Sequence, residues 1–216
     1  MNRIKFLLMT GARFILLVLL VLPGRLVAQD DLMDILEENK NEEVEVIDNT
    51  FKGTRLINGH TVEVRDRGVL NFTIMHRFGR LNSGAYEFFG LDNANIRLGL
   101  DYSITDDLTV GIGRSSFNKV YDGFLKYRVL RQSRGAVKFP VTVTLTGGIS
   151  IQTLRSPDPD VTIPFDQKLA YTAQVLVAKK IGEAISLQIM PALIYRNYVE
   201  LPGEENMTFV LGVGGR

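Results

Sequence analysis

The sequence predicts an all-β protein, an up-and-down antiparallel transmembrane β-barrel with at least eight strands. Three features support this fold class: strands with one apolar and one polar face, tyrosines on the apolar face near strand ends, and connections that alternate between short and long. A soluble β-sandwich or lipocalin-like barrel would also show alternation, with its apolar face turned inward. Lumen glycines and long strands favour the membrane-spanning form.

The segment 95–104 shows the two-residue period clearly. Its even positions are Ile96, Leu98, Leu100, Tyr102 and Ile104, and its odd positions are Asn95, Arg97, Gly99, Asp101 and Ser103. Because the side chains of a strand alternate between the two faces of its sheet, this segment has one apolar and one polar face. The same alternation recurs in 70–77 and 141–152. It is typical of strands with lipid outside and a polar lumen inside.

The first residues predict export. Arg3 and Lys5 precede an apolar run, residues 14–22, and a short polar exit leads to Gln29. This order indicates a cleaved secretory signal peptide over residues 1–28. A membrane-spanning helix is the alternative, but residues 11–13 interrupt the apolar stretch, and roughly 20 apolar residues are needed to cross a bilayer. The chain has no cysteine, which excludes disulfides and thiolate metal ligands.

Residues 29–48 form an acidic segment in which Lys40 is the one basic residue. We expect a flexible, solvated periplasmic segment, with an acidic partner-binding segment as the alternative.

Residues 49–68 carry a hairpin signal. Two short arms, 51–57 and 60–64, flank Asn58-Gly59, a dipeptide that suits a type I′ turn. Each arm is shorter than the roughly 9 to 11 residues that a tilted membrane strand requires. The hairpin is therefore expected either to fold into the lumen as a plug or to pack at the periplasmic rim.

The barrel itself is predicted over residues 69–216. Its eight candidate strands are 69–78, 95–104, 108–115, 121–130, 137–153, 168–181, 185–198 and 207–214. The connections 105–107, 132–136 and 182–184 are short, whereas 79–94, 154–167 and 199–206 are long, and only the short loop 116–120 departs from this alternation. Outer-membrane barrels have short periplasmic turns and long external loops, so the N-terminus is expected in the periplasm.

Several motifs resemble a known family. They are TFKGTRLINGHTVEV at 50–64, LNFTIMHRFG at 70–79, FFGLDNANIRLGLDYSITDDLTVGIGRSS at 88–116 and FNKVYDGFLKYRVLRQ at 117–132. The chain is similar to Gram-negative outer-membrane β-barrel proteins of a family catalogued as a domain of unknown function. The resemblance implies location and architecture, and it brings no substrate, cofactor or catalytic residue.

Members of that family look longer, and the last strand here is short and ends without an aromatic residue. We therefore expect a C-terminally incomplete barrel whose full form has about ten or twelve strands, since such barrels favour even numbers.

Catalytic and metal sites are not expected. Only His60 and His76 supply imidazoles, and His76 has the parity of the apolar face. Without a lumenal histidine beside serine and aspartate, no hydrolase triad can be assembled. The sequence thus predicts no catalytic residue, no cofactor and no metal. A net charge of +1 gives no reason to expect a nucleic-acid partner.

Five charged residues are predicted to face the lumen: Arg97, Asp101, Asp122, Lys126 and Arg128. In a narrow barrel such residues pair across strands and fill the interior, because an unpaired buried charge is costly. In a wider barrel they line a channel and set its ion preference.

The leading hypothesis is a non-enzymatic outer-membrane barrel, either structural or a narrow pore for small solutes or ions, held by outer-membrane lipid and inserted by the barrel-assembly machinery. The alternative is a binding or assembly module that uses its long external loops, above all 79–94 with Tyr86, Phe88 and Phe89. A soluble periplasmic β-barrel binding protein is a further alternative.

Overall fold

The computed structural model describes residues 43–155, 163–199 and 204–216. The predicted signal peptide and most of the predicted acidic segment lie outside these residues. The chain divides into two compact units, Met1–Val44 and Glu45–Arg216, and the large sheet belongs entirely to the second.

Strands dominate the described residues. They are β1 (Val44–Val46), β2 (Arg55–Leu56), β3 (Gly59–His60), β4 (Leu70–Arg77), β5 (Asn95–Ser103), β6 (Leu108–Ser115), β7 (Val120–Leu130), β8 (Ser133–Gly135), β9 (Thr142–Gln152), β10 (Leu169–Lys180), β11 (Ser186–Arg196) and β12 (Met207–Gly215). Short 3₁₀ turns occupy Leu81–Ser83, Ala85–Asn93, Phe117–Lys119 and Asp166–Lys168. No helix in these parts of the chain is both long and apolar enough to cross a membrane.

Eight strands form one antiparallel sheet in the order β4-β5-β6-β7-β9-β10-β11-β12. Each strand pairs with the next one along the chain, apart from the short β8, which lies in the connection between β7 and β9. The predicted up-and-down antiparallel architecture is confirmed. In the described residues the sheet is open, with β4 and β12 at its edges.

Burial alternates along the strands as the sequence pattern does. In β5, Gly99, Asp101 and Ser103 are buried, whereas Leu100 and Tyr102 between them are exposed. The exposed apolar side chains continue across the sheet, for example Phe72 on β4 and Leu145 on β9. Such an inverted distribution, with polar residues covered and apolar residues exposed, matches a sheet whose outer face meets lipid.

Two predicted details around β9 are wrong. The expected strand 137–153 begins only at Thr142, and the expected tight turn 132–136 is part of a longer connection that contains β8. Ser133 explains the change, because its N–H donates to the Phe139 carbonyl at 3.0 Å and its hydroxyl donates to the Val137 carbonyl at 2.8 Å. These bonds fold 133–139 back on itself, and Pro140 has no N–H for a ladder.

The predicted hairpin is also shorter and shifted. Arg55 pairs with His60 and Leu56 with Gly59, so the two loop residues are Ile57 and Asn58, not Asn58 and Gly59. Ile57 carries the positive φ, at 53°. A Cβ atom on Gly59 would lie 3.3 Å from the sulfur of Met190. Packing against β11 therefore places the glycine in the strand and leaves the turn to its neighbours.

Candidate functional site: the polar face and the docked segment

One face of the sheet carries the polar positions of all strands, and we call it the polar face. The structure places Arg97, Asp101, Asp122, Lys126 and Arg128 on it, at alternate positions of β5 and β7. Each of the five contacts a different set of groups. The polar face has two ends: a turn end, near Ser103 and Thr142, and a loop end, near Asn95 and Gln152.

Residues 50–64, here called the docked segment, cover the turn end of the polar face. The Val62 N–H donates to Gln188 Oε1 at 2.9 Å, and Gln188 Nε2 donates to the His60 carbonyl at 2.9 Å. On β9, the Thr144 hydroxyl donates to the Val62 carbonyl at 3.0 Å. Gln188 is 1% exposed and Thr144 0%. The sheet thus binds the backbone of the docked segment through buried side chains.

Lys126 is the most unusual buried group at this end. It is 2% exposed, and its ammonium group donates to the Glu63 carbonyl of the docked segment. A charge so far from water is costly unless it is hydrogen-bonded. The docked segment supplies that bond, so its position and the burial of Lys126 depend on each other.

A small apolar core completes the contact. Phe51 and Val62 of the docked segment pack with Leu176, Ala178 and Met190, and all of these side chains are buried. Leu56 is partly buried against the same group. Burial of apolar surface favours docking by roughly 25 cal/mol per Å². The polar face is therefore locally apolar where the docked segment lies on β10 and β11.

Arg55 and His60 of the docked segment meet the polar face at Phe124. The Arg55 guanidinium lies 4.8 Å from the centre of that ring, and the His60 ring lies 4.5 Å from it in an edge-on arrangement. Arg55 Nη2 is also 3.9 Å from Asp101 Oδ1, which is too long for a hydrogen bond and leaves an electrostatic attraction.

His60 is neutral in this position. Burial, together with the positive charges of Arg55, Lys126 and Arg97, lowers the pKa of His60 to about 2. A neutral imidazole avoids a further cation beside three others.

Arg97 and Asp122 form the main ion pair of the face. Arg97 Nε donates to Asp122 Oδ1 at 2.9 Å, and a second bond joins Nη2 to Oδ2. Glycines make room for these side chains: a Cβ on Gly113 would lie 2.2 Å from Arg97 Nη2, and one on Gly111 would lie 2.2 Å from the Phe124 ring. The glycines that the sequence places on the lumenal face therefore accommodate large neighbours.

Arg128 binds the β5–β6 turn and not the docked segment. With Arg131 it donates to Asp107 in the β5–β6 turn, at 2.9 Å from Arg128 Nε and 2.8 Å from Arg131 Nη2. Burial raises the pKa of Asp107, but the hydrogen bonds from Arg131 and Arg128 outweigh it and hold this pKa below its ordinary value. The cluster fastens one turn to the end of β7.

The two ends of the polar face differ in free space. At the turn end, a cavity of about 10 Å³ remains between residues such as Glu63, Phe124 and Lys126, about enough for one water molecule. At the loop end, a cavity of about 420 Å³ lies over Ser150, Ala170 and Arg196. The face is filled at one end and open at the other.

Comparison with known protein families identifies the kind of domain that carries this site. Residues 51–216 match a family described as Membrane bound beta barrel domain (DUF5777). The chain belongs to this family. No curated protein and no solved structure matches it.

The membrane-bound β-barrel domain thus begins within the docked segment, so that segment belongs to the domain's own sequence pattern. The predicted family resemblance is confirmed. The family description names no substrate or partner, and the site must be interpreted from its own geometry.

Sequence reasoning did not identify Gln188, Thr144 or Arg55 as part of the site. A signal was present for the surface they help to build. Around Leu176 and Met190, apolar residues occupy both alternating positions of β10 and β11. Apolar residues on both faces of a strand indicate that both faces are covered, which pointed to a segment packed on the polar face of the domain.

Proposed function

We propose that this domain is a non-enzymatic outer-membrane β-barrel whose lumen is closed at the turn end by the docked segment. The observation that carries the proposal is a set of hydrogen bonds between sheet side chains and the backbone of the docked segment. The side chains of Gln188, Thr144 and Lys126 bind backbone groups of His60, Val62 and Glu63. The role is structural, or that of a narrow pore for small solutes or ions that conducts only when the docked segment moves.

The arrangement of charges supports a filled lumen over a permanent channel. Arg97 is paired with Asp122, Arg128 with Asp107, and Lys126 with a backbone carbonyl. Residues that line a conducting pore present their charges to water. Here these three cations bind other protein groups instead.

Connection lengths support a periplasmic turn end. At this end the connections 104–107 and 181–185 are short and 131–141 is longer; at the opposite end 78–94 and 153–168 are longer still, and 116–119 is short. The docked segment enters from the same end as the short turns, directly after the N-terminal residues. This orientation fits a chain that is exported, inserted by the barrel-assembly machinery and held in outer-membrane lipid.

Planar-bilayer conductance on the refolded chain tests the proposal. We expect little steady conductance from the unmodified protein and frequent openings from Gln188→Leu, which removes two bonds to the docked segment. Gln174→Leu is the matched control, because Gln174 lies on the same face and makes no hydrogen bond to residues 50–64. Steady, large conductance from the unmodified protein would contradict a closed lumen.

A second candidate, a binding or assembly module, is favoured by residues 79–94. Tyr86 is 97% exposed, and Leu81 and Phe88 are exposed beside it. The loop is held by its own bonds, including Gly79 N–H to the Gly90 carbonyl at 2.8 Å. Phe88 and Phe89 both have positive φ, 46° and 55°, a strained conformation that often accompanies a function.

A photoreactive residue at position 86 tests this candidate in whole cells. A specific adduct from position 86, absent when the photoreactive residue is at Lys119 of a neighbouring loop, is the expected result for a binding module. Equal or absent adducts at both positions would leave the loop without a partner and favour the closed barrel alone.

A further inference from the structure

The loop-end cavity of about 420 Å³ has the size of a small-molecule site. Its floor is a row of residues across three strands, because Ala170 pairs with Ser150 on β9 and with Arg196 on β11. Ala170 is the smallest of the three. Because its side chain is only a methyl group, it leaves space above the floor between Ser150 and Arg196.

The polar groups around this floor are of two kinds. Lys168 and Arg196 are cationic, and Glu204 is the one acidic residue that lines the cavity among the described residues. Within the same described residues, neither Lys168 nor Arg196 forms an ion pair. This differs from Arg97 and Arg128 on the same polar face, which are paired with carboxylates.

The remaining polar groups bind hydroxyls well. Gln152 and Gln167 carry amides that both donate and accept, and Ser150 adds a hydroxyl. Tyr198 offers a half-exposed ring at the rim. Two cations provide charge-assisted bonds to an anion, and the amides complement neighbouring hydroxyl groups.

We propose that this cavity binds a small hydroxylated anion, that is, a sugar phosphate or a sugar acid. Lys168 and Arg196 hold the anionic group, and Gln152, Gln167 and Ser150 hold the hydroxyls. The proposal rests on the proposed function in one respect, since the polar face must enclose a lumen that water reaches from the loop end. It goes beyond that function because it assigns a class of ligand to the loop end of the polar face.

Calorimetric titration of the refolded chain in detergent tests the site. The probes are glucose 6-phosphate and glucuronate, with glucose and inorganic phosphate as separate arms. We expect the two hydroxylated anions to bind. Glucose, which lacks the anionic group, and inorganic phosphate, which lacks the sugar hydroxyls, should each bind at least about tenfold more weakly. The first two probes distinguish a phosphate from a carboxylate source.

Two variants act on different properties of the cavity. Arg196→Gln removes a cation, and Ala170→Leu fills the floor without a change of charge; each is expected to weaken binding at least about tenfold. Arg196→Lys should restore part of the affinity. The matched controls are Lys119→Gln, a cation outside the cavity, and Ala173→Leu, which lies on the opposite face of β10.

Several outcomes would overturn the proposal. Absence of heat with both hydroxylated anions would do so, as would binding that Arg196→Gln and Ala170→Leu leave unchanged. Phosphate that binds as tightly as glucose 6-phosphate would remove the hydroxyl part of the claim. Conductance measurements on Gln188→Leu address the opposite end of the face, so failure of this site and failure of the closed lumen are distinguishable. Heat-modifiable migration on gels verifies that each variant folds.

Discussion

The two ends of the polar face have similar residues and different surroundings. Both carry threonines, serines, glutamines and charged side chains at alternate positions of the same strands. At the turn end, Thr144 and Gln188 are buried under the docked segment; at the loop end, Thr172 and Gln152 are exposed. The composition of a lumenal face therefore does not determine whether it is filled, and the position of one N-terminal segment does.

The comparison also shows how a barrel can bury charges. At the turn end, backbone carbonyls and carboxylates satisfy the cations, as Glu63 does for Lys126. At the loop end, Arg196 remains accessible beside a cavity. Buried charges require such partners because desolvation is expensive, and exposed ones can be used to attract ligands.

The largest expected effect tests whether the polar face is the inner one. Thr172 and Ala173 are adjacent in β10 and both exposed, but they lie on opposite faces. Ala173→Arg should lower the free energy of unfolding in lipid vesicles, and so destabilise the fold, by about 2 to 4 kcal/mol, because it places a charge in lipid. Thr172→Arg should cost much less. Equal costs would mean that lipid does not contact the Ala173 face.

The next effect concerns the bonds to the docked segment. Gln188→Leu leaves the Val62 N–H and the His60 carbonyl without their partner, and docking should weaken by about 2 kcal/mol. A fluorophore on Ile57→Cys, a unique cysteine on an exposed loop residue, would report release as lower anisotropy. Gln174→Leu should leave the anisotropy unchanged, and a similar drop in both variants would argue against a specific tether.

A smaller effect is expected from filling the space around Phe124. Gly111→Ala places a methyl group where the ring lies, and the ring must move away from His60 and Arg55. Overpacking of this kind costs roughly 1 to 3 kcal/mol. Gly147→Ala is the control, since nothing lies within 4 Å of a Cβ atom there. Equal melting temperatures for the two variants would contradict the close packing.

The smallest effect is a dependence of docking on pH. The His60 pKa is about 2 when docked and 6.5 in its ordinary state. Below pH 6.5 the released segment takes up a proton that the docked segment does not, so docking weakens by at most about 1.4 kcal/mol per pH unit. Between about pH 7 and pH 6, anisotropy of the Ile57→Cys label should fall.

The charged groups around His60 are Arg55 of the docked segment, Lys126 on β7 and Arg97 on β5. His60→Asn should abolish the pH response, whereas His76→Asn on the outer face should retain it. A response that persists in His60→Asn would assign it to another group.

Much of the sheet could be predicted from the sequence. The strand Leu108–Ser115 has the predicted bounds, and the two-residue period fixes the face of Arg97 and Lys126 once their strands are located. The strong contrast between lipid-facing and polar positions makes this register unambiguous, since a shift by one residue would exchange the faces.

The docked segment could not be placed in the same way. Gln188 binds the backbone of Val62 and His60, and backbone groups are common to every residue. The turn at Ile57 likewise follows from the packing of Gly59 on Met190, a contact between residues far apart in sequence. The loop-end cavity depends on how three strand ends and their connections meet, which local patterns do not specify.

The most direct test of the account compares Thr144→Cys with Thr172→Cys. The chain has no other cysteine, and both threonines lie on the polar face, one under the docked segment and one beyond it. In refolded protein in lipid vesicles, a water-soluble maleimide should modify Thr172→Cys at least about tenfold faster than Thr144→Cys, because the latter reacts only when the segment opens. Equal rates would contradict a lumen that is closed at one end.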